Sequence, residues 1–182
     1  MQQDNASPVV VIGGGPAGLM AAEVLAAADS TVNRKNIQIF ESMPSVGRKF
    51  LMAGKGGMNI THSEPLADFI GRYGERAAEI RPLLGAFGPS QLREWIHGLG
   101  IDTFVGTSGR VFPTDMKAAP LLRAWLHRLR GQGVQFHVRH RWLGWAPDGS
   151  LRFATPSGEI AVHADAVILA LGGGSWAKLG SD

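Results

Sequence analysis

The chain has 182 residues, of which 45% are hydrophobic and 18% are charged, and it carries a net charge of +3. This composition is typical of a globular protein with one substantial core, so we expect a single domain over residues 1–182. No cysteine is present. That fits a cytoplasmic location and excludes disulfide reductases, because those enzymes pass electrons through a cysteine pair.

The first predicted element is a strand at Val9–Ile12, whose β-branched residues are typical of a parallel strand buried on both faces. Three glycines follow it in a G-x-G-x-x-G pattern. Gly13 permits a tight turn, Gly15 lets the backbone approach a pyrophosphate, and Gly18 lets the next helix pack against the strand. The pattern therefore predicts a dinucleotide site.

A helix is predicted over residues 19–28, and Pro16 and Ala17 before it are expected to line the cofactor site. Unpaired N–H groups and the positive end of the helix dipole would favour an anion at this turn. The apolar run over residues 9–28 carries one charge, Glu23. Its glycines and its proline argue against a membrane span, and we expect no membrane partner.

A second strand is predicted over residues 37–40, and Glu41 follows it. This acid lies roughly 20 residues after the last glycine and closes a strand–helix–strand unit of about 30 residues. A carboxylate there would accept hydrogen bonds from ribose hydroxyls and repel a 2′-phosphate. We therefore predict an unphosphorylated adenosine, as in FAD or NAD; the alternative is a strand–helix turn with no ligand.

Residues 42–62 are rich in glycines and cations, which suit close contact with a flat, anionic ligand. Arg48 or Lys49 is expected to bind the pyrophosphate bridge. Backbone N–H groups of residues 54–57 are expected to face a flavin ring, where they would stabilise the reduced form. The alternative is a surface loop without a ligand. The candidate cofactor-binding residues of this segment are Ser42, Gly47, Arg48, Lys49, Gly54, Gly56, Gly57 and Asn59.

A segment of helices and a hairpin is predicted at about residues 63–130. Residues 66–99 are expected to be helical, with a break at Gly88 and Pro89 and a second helix over residues 91–98. Two short strands, at residues 103–105 and 111–112, flank a GTSG turn and predict a hairpin. A third helix is expected over residues 116–130.

The pattern changes to strands from residue 134 onward. A third parallel strand is predicted at residues 134–138, and an antiparallel meander at residues 141–163. Another buried strand, residues 165–171, ends in Gly172, Gly173 and Gly174. Because open α/β sheets bind ligands at the carboxyl ends of their strands, we expect this second glycine-rich strand end at the same cofactor. The alternative is a glycine turn without a ligand.

Arginine and histidine are concentrated in residues 123–141. Such a segment is compatible with a nucleic-acid surface. Apolar residues alternate with these charges at the spacing of a hydrophobic core. This pattern favours a different interpretation, in which the charges lie on the solvated face of a helix and on a following strand near an anionic cofactor. We therefore expect no nucleic-acid partner.

Five motifs occur in a fixed order and are distributed over essentially the whole chain: GGGPAG, Glu41, GRKFLMAGKGGMNITH, SGRVFP and ALGGGSW. Together they resemble the N-terminal part of the HI0933-like (BaiN-like) flavoproteins, which belong to the glutathione-reductase-type FAD superfamily. The resemblance implies an α/β, Rossmann-like FAD-binding domain, with Gly13, Gly15, Gly18 and Glu41 on the ADP half. It also implies that Arg48 and Lys49 lie near the pyrophosphate or ribityl chain, residues 54–59 near the isoalloxazine, and the main chain of Trp142 near adenine.

The resemblance also implies a difference in length. Similar proteins are about twice as long and continue with a barrel-and-helix region and a last strand of the FAD sheet. We therefore expect this chain to be a fragment or a truncated gene product. Alone, it should bind FAD weakly or not at all, and it should be inactive.

The function expected from the resemblance is hydride transfer between NAD(P)H, flavin and a small organic acceptor with a conjugated C=C bond. No second G-x-G-x-x-G follows for a nicotinamide cofactor, so NAD(P)H would bind transiently. The alternatives are a flavin monooxygenase and a non-catalytic dinucleotide-binding module. Lys55 and Arg110 are candidates for polarising a substrate oxygen, and His62 for donating a proton. The alternative for Lys55 is a contact with a phosphate, and the alternative for Arg110 is an ordinary surface position in the hairpin. For His62 the alternative is a structural histidine.

Overall fold

The computed structural model describes residues 7–27 and 36–173. Gly174 therefore lies outside the described residues. The contacts divide the chain into a first unit, Met1–Phe50 with Leu126–Asp182, and a second unit, Leu51–Trp125. A single domain over residues 1–182 stays a prediction. Within the described residues, no helix is both long and apolar enough to cross a bilayer.

The strands are, in chain order, β1 (Val9–Ile12), β2 (Ile37–Glu41), β3 (Thr61–His62), β4 (Thr103–Val105), β5 (Arg110–Pro113), β6 (Gln135–Val138), β7 (Arg141–Trp145), β8 (Leu151–Thr155), β9 (Gly158–Val162) and β10 (Ala166–Leu169). The helices are α1 (Pro16–Ala27), α2 (Arg48–Ala53), α3 (Leu66–Gly71), α4 (Ala77–Ala86), α5 (Pro89–His97) and α6 (Ala118–Gly131).

The first unit contains a parallel sheet with the strand order β10-β1-β2-β6. In the central strand, Val11 is fully buried and pairs with Ile39 of β2 and Ile168 of β10. Such a strand is covered on both faces, which is why its sequence is continuously β-branched. The predicted α/β class is confirmed, and so are the third parallel strand and the strand before Gly172.

The predicted meander is confirmed as the antiparallel sheet β7-β8-β9. It packs on the parallel sheet through Phe153, whose ring stacks on Phe40 with centroids 4.2 Å apart. In the turn between β7 and β8, Asp148 accepts hydrogen bonds from the N–H and the hydroxyl of Ser150, and these bonds lower the pKa of the Asp148 carboxyl. The packing fixes the end of β2, where Phe40 lies.

The second unit contains helices α3–α5 and an antiparallel sheet with the order β3-β5-β4. The hairpin of β4 and β5 and the break at Gly88 and Pro89 are confirmed. A continuous helix from residue 66 to this break is wrong, because α3 ends at Gly71 and a short 3₁₀ turn, Gly74–Arg76, precedes α4. Gly74 has φ = +55°, which an α-helix does not allow.

Two elements within residues 42–62 were not anticipated from the sequence, namely α2 and β3. Helix α1 begins earlier than predicted, at Pro16, and α6 begins later, at Ala118. Met116 stays outside α6 because its φ is +62°.

Candidate dinucleotide site

A cavity of about 370 Å³ lies in the first unit, at the carboxyl ends of the four parallel strands. Its volume falls in the range of small-molecule sites. It is lined by Ile12, Gly13, Gly14, Gly15, Pro16, Ala17, Phe40, Glu41, Ser42, Ser45, Gly47, Arg48, Lys49, His140, Arg141, Trp142, Ala170, Leu171, Gly172 and Gly173.

The glycine-rich turn after β1 is held tightly at two of its three glycines. Gly13 has φ = +111°, and a Cβ at this position would lie 2.2 Å from the carbonyl oxygen of Ala170. A Cβ at Gly18 would lie 1.9 Å from the carbonyl oxygen of Gly13, so α1 packs against the turn as the sequence suggests. At Gly15 a Cβ would meet nothing within 4 Å, which leaves open space on the cavity side.

Two backbone amides of this turn are bonded within the protein, and two others are available to a ligand. The N–H of Gly13 donates to the carbonyl of Phe40 at 2.8 Å, and the N–H of Gly14 donates to the Glu41 carboxylate at 2.8 Å. Pro16 has no N–H, and amides in the first turn of a helix lack intrahelical acceptors. The N–H groups of Gly15 and Ala17 can therefore serve an anion at the N-terminus of α1.

Glu41 lies at the junction of several segments around the cavity. Its Oε2 accepts the N–H of Gly14, while its Oε1 accepts the N–H of Met43 at 2.8 Å and the hydroxyl of Ser42 at 3.3 Å. Its backbone carbonyl accepts the N–H of His140 at 2.9 Å. The sequence predicts a ribose contact for this carboxylate, and the structure adds these partners within the protein.

The segment from residue 42 to residue 49 connects the two glycine-rich strand ends. Its Gly47 donates from the backbone N–H to the carbonyl of Gly14 at 2.8 Å. Lys49 Nζ donates to the carbonyl of Gly173 at 3.0 Å. The Nε of Arg48 is buried and has no hydrogen-bond partner within the described residues. An unpaired guanidinium nitrogen, an ammonium group and the free space at Gly15 fit a ligand that carries a diphosphate.

Another side of the cavity is formed by His140, which precedes β7, and by Arg141 and Trp142, the first two residues of β7. Trp142 was predicted from the resemblance, and its buried Nε1 has no hydrogen-bond partner within the described residues. His140 and Arg141 were not chosen from the sequence. The carboxyl end of the predicted third parallel strand was the signal that could have indicated them, because ligands bind at such ends.

Two histidines contact the ring of Phe40, His137 from within β6 and His140 from the residues that follow this strand. His137 lies on Phe40 with ring centroids 4.5 Å apart, and His140 contacts the same ring edge-on at 5.6 Å. Burial lowers the pKa of His137, and the neighbouring charge of His140 lowers it further. The lowered pKa of His137 favours the neutral form of this ring.

Several predicted site residues belong to the second unit and are not part of the cavity lining: Gly54, Lys55, Gly56, Gly57, Asn59, His62 and Arg110. Their predicted roles stay predictions. Lys55 and Arg110 are exposed. His62 accepts the N–H of Glu64 at Nδ1, which assigns the proton to Nε2, and Nε2 donates to the carbonyl of Ser108 at 2.9 Å. This geometry supports the structural alternative for His62.

Residues 7–182 match the family model described as "HI0933-like protein Rossmann domain". The chain belongs to this family. A curated relative of the HI0933-like chain is the 3-dehydro-bile acid delta(4,6)-reductase of Clostridium scindens, which is 32% identical over 174 residues. The alignment covers 94% of the chain but 40% of the reductase, so the chain spans less than half of that relative's length.

Solved structures share the fold of this HI0933-like chain. The open conformation of a flavocytochrome c3 fumarate reductase has a TM-score of 0.67 at 21% identity, covering 94% of the chain and 34% of that protein. The 3-ketosteroid-delta4-(5alpha)-dehydrogenase of Rhodococcus jostii RHA1 has a TM-score of 0.65 at 16% identity, covering 96% and 47%. The resemblance identified from the five sequence segments is confirmed at the level of family and fold.

Proposed function

We propose that this chain is the FAD-binding portion of a flavin-dependent oxidoreductase. The observation that carries the proposal is the cavity itself. It brings together the first glycine-rich turn, the acid at the end of β2, the second glycine-rich strand end and three cations, Arg48, Lys49 and Arg141. Family membership supports the same conclusion, because the matched domain is a Rossmann domain.

In the proposed complex, the ADP half of FAD occupies the cavity. The N–H groups of Gly15 and Ala17, together with Arg48, hold the diphosphate, and Glu41 accepts hydrogen bonds from the ribose. The adenine ring lies near Trp142. The negative charge of Glu41 disfavours a 2′-phosphate, so the cavity prefers FAD or NAD to NADP.

Bound FAD would supply hydride transfer between a nicotinamide donor and an organic acceptor. For the acceptor we propose a small molecule with a C=C bond conjugated to a carbonyl, because a relative at 32% identity is a bile acid delta(4,6)-reductase. Residues 54–59 would lie at the flavin ring. Lys55 and Arg110 are the proposed partners of the substrate carbonyl, since a cation stabilises the negative charge that develops there.

Calorimetric titration of the chain tests the cofactor proposal. We expect ADP to bind weakly, FAD to bind more tightly than ADP although still weakly, and 2′-phospho-ADP-ribose to bind less tightly than ADP because of Glu41. The absence of any ADP binding at millimolar ligand would overturn the proposal. Equal affinities for ADP and FAD would instead favour a non-catalytic dinucleotide-binding module, because the flavin half would then contribute nothing to binding.

A further inference from the structure

The carboxylate of Glu41 is bonded to the turn that would hold the diphosphate. Its Oε2 accepts the N–H of Gly14 at 2.8 Å, across 27 positions of the chain, and its Oε1 accepts the N–H of Met43 at 2.8 Å. Hydrogen bonds to an ionised acceptor are roughly twice as strong as those between neutral groups. Glu41 therefore restrains the turn before any ligand arrives.

The position of Gly14 shows how close this contact is. A Cβ at Gly14 would lie 2.4 Å from Val46 Cγ1 and 3.1 Å from Glu41 Oε2, so the glycine fits between these two side chains. The carbonyl of Gly14 accepts the N–H of Gly47 at 2.8 Å. Both backbone polar groups of Gly14 are thus fixed, the N–H by Glu41 at the end of β2 and the carbonyl by Gly47 after it.

The fixed carbonyl of Gly14 determines where the next amide points. The peptide between Gly14 and Gly15 is planar and trans, so the N–H of Gly15 points opposite to the carbonyl of Gly14. Gly47 binds the carbonyl of Gly14, and Glu41 binds the N–H of Gly14. The peptide plane is therefore fixed, and the N–H of Gly15 is held in a single orientation. A donor that is already oriented loses less entropy when an anion binds.

We infer that Glu41 is a positioning residue for the diphosphate-binding amides, in addition to its proposed contact with the ribose. The inference rests on the proposed function, since it assigns the diphosphate to this turn. A carboxylate near an anion should weaken anion binding through repulsion, yet here its loss should weaken binding, because the turn loses its shape.

The test compares Glu41→Gln with wild type, using inorganic pyrophosphate and ADP as probes. Glutamine keeps the size of the side chain but can accept from one backbone N–H, while its own NH₂ faces the other. We expect both probes to bind about tenfold more weakly. The matched control is Glu159→Gln, which removes a carboxylate of the same unit that is exposed and bonded to Arg152, and which should leave both affinities unchanged.

Pyrophosphate separates the two roles of Glu41 because it has no ribose. If Glu41→Gln weakens ADP binding while pyrophosphate binds equally well or more tightly, the carboxylate acts on the ribose alone and the inference is overturned. Circular dichroism of each variant checks that the fold is retained.

A second readout needs no ligand. The exchange of the Gly14 amide hydrogen with solvent, measured by NMR, should be faster in Glu41→Gln than in wild type and unchanged in Glu159→Gln. If wild type binds neither probe, the proposed function fails, and the amide exchange still decides whether Glu41 restrains the turn. An unchanged exchange rate at Gly14 would refute the positioning role.

Discussion

The two glycine-rich strand ends of the first unit differ in how closely they are packed. After β1, a Cβ at Gly13 or Gly18 would collide with a backbone oxygen at 2.2 Å or 1.9 Å. After β10, a Cβ at Gly172 would approach the tip of Lys49 at 3.5 Å, and one at Gly173 would meet nothing within 4 Å. At the first end, Gly13 and Gly18 leave no space for a side chain, whereas at the second end the space around Gly173 is open.

Similar glycine runs can therefore serve different physical purposes. At the first end, the missing side chains let a helix, a strand and a neighbouring strand end approach each other. At the second end, Gly172 needs glycine because its φ is +79°, while Gly173 has no such requirement. Substitutions should therefore have graded effects along these two segments.

The largest effect is expected for Gly18→Ala. The added methyl group would lie 1.9 Å from the carbonyl oxygen of Gly13, so α1 has to move away from its strand. We expect the free energy of unfolding to fall by about 3 kcal/mol, as for other overpacked sites. Urea denaturation followed by circular dichroism measures it. The matched control is Gly173→Ala, for which we expect a change below about 0.5 kcal/mol; similar losses for the two variants would contradict the comparison.

A smaller effect is expected for Gly172→Ala. The residue has φ = +79°, where alanine is strained, but the space around it is open apart from the end of Lys49. The free energy of unfolding should fall by about 1 kcal/mol. The same urea denaturation measures this loss, and a loss as large as that of Gly18→Ala would mean that the second end is packed as closely as the first.

The next effect concerns how the second end is held. Lys49 Nζ donates to the carbonyl of Gly173 at 3.0 Å in an exposed position. Lys49→Met should lower the free energy of unfolding by about 0.5 kcal/mol and speed proteolytic cleavage at residues 170–173. Arg81→Gln, which removes an exposed cation of the second unit, serves as the control. Equal cleavage rates in the two variants would show that Lys49 does not restrain this segment.

The smallest effect is a pH dependence of the protein's stability, which arises from His137. The pKa of His137 is lowered in the folded protein, mainly by burial, so the unfolded chain binds a proton more readily. Stability is therefore present above the ordinary pKa of about 6.5 and decreases as the pH falls below it. His137→Phe keeps a ring on Phe40 and should reduce the fall in Tm between about pH 7.5 and about pH 5.5. An unchanged fall would assign the pH dependence to other groups.

Much of the first unit could be predicted from sequence because its signals are local. A continuous β-branched run such as Val9–Ile12 indicates a strand buried on both faces, and the glycine spacing indicates the turn that follows. The end of each predicted parallel strand then gives one side of the cavity. Glu41 and Gly172, which this reasoning predicts as cofactor-binding residues, both line the cavity, and their contact with a cofactor stays a prediction.

The remaining details depend on contacts between distant parts of the chain. The hydrogen bonds of Gly14 to Glu41 and Gly47 join residues far apart in sequence, and no periodicity reports them. Helix α2 was missed because the glycines around it dominate the composition of its segment. His140 was missed as a lining residue because its role depends on where β6 ends, not on its own neighbours in the sequence.

Trp142 gives the cavity an intrinsic optical signal. The residue lines the cavity and its indole ring lies edge-on to Trp145 at 4.6 Å, whereas Trp95 and Trp125 belong to the other unit. Indole emission depends on the surroundings of the ring, so a ligand that enters the cavity changes the emission of this tryptophan pair. Replacing Trp95, Trp125 and Trp176 by phenylalanine would leave Trp142 and Trp145 as the two tryptophans of the chain, and ligand titrations could then be followed without any external label.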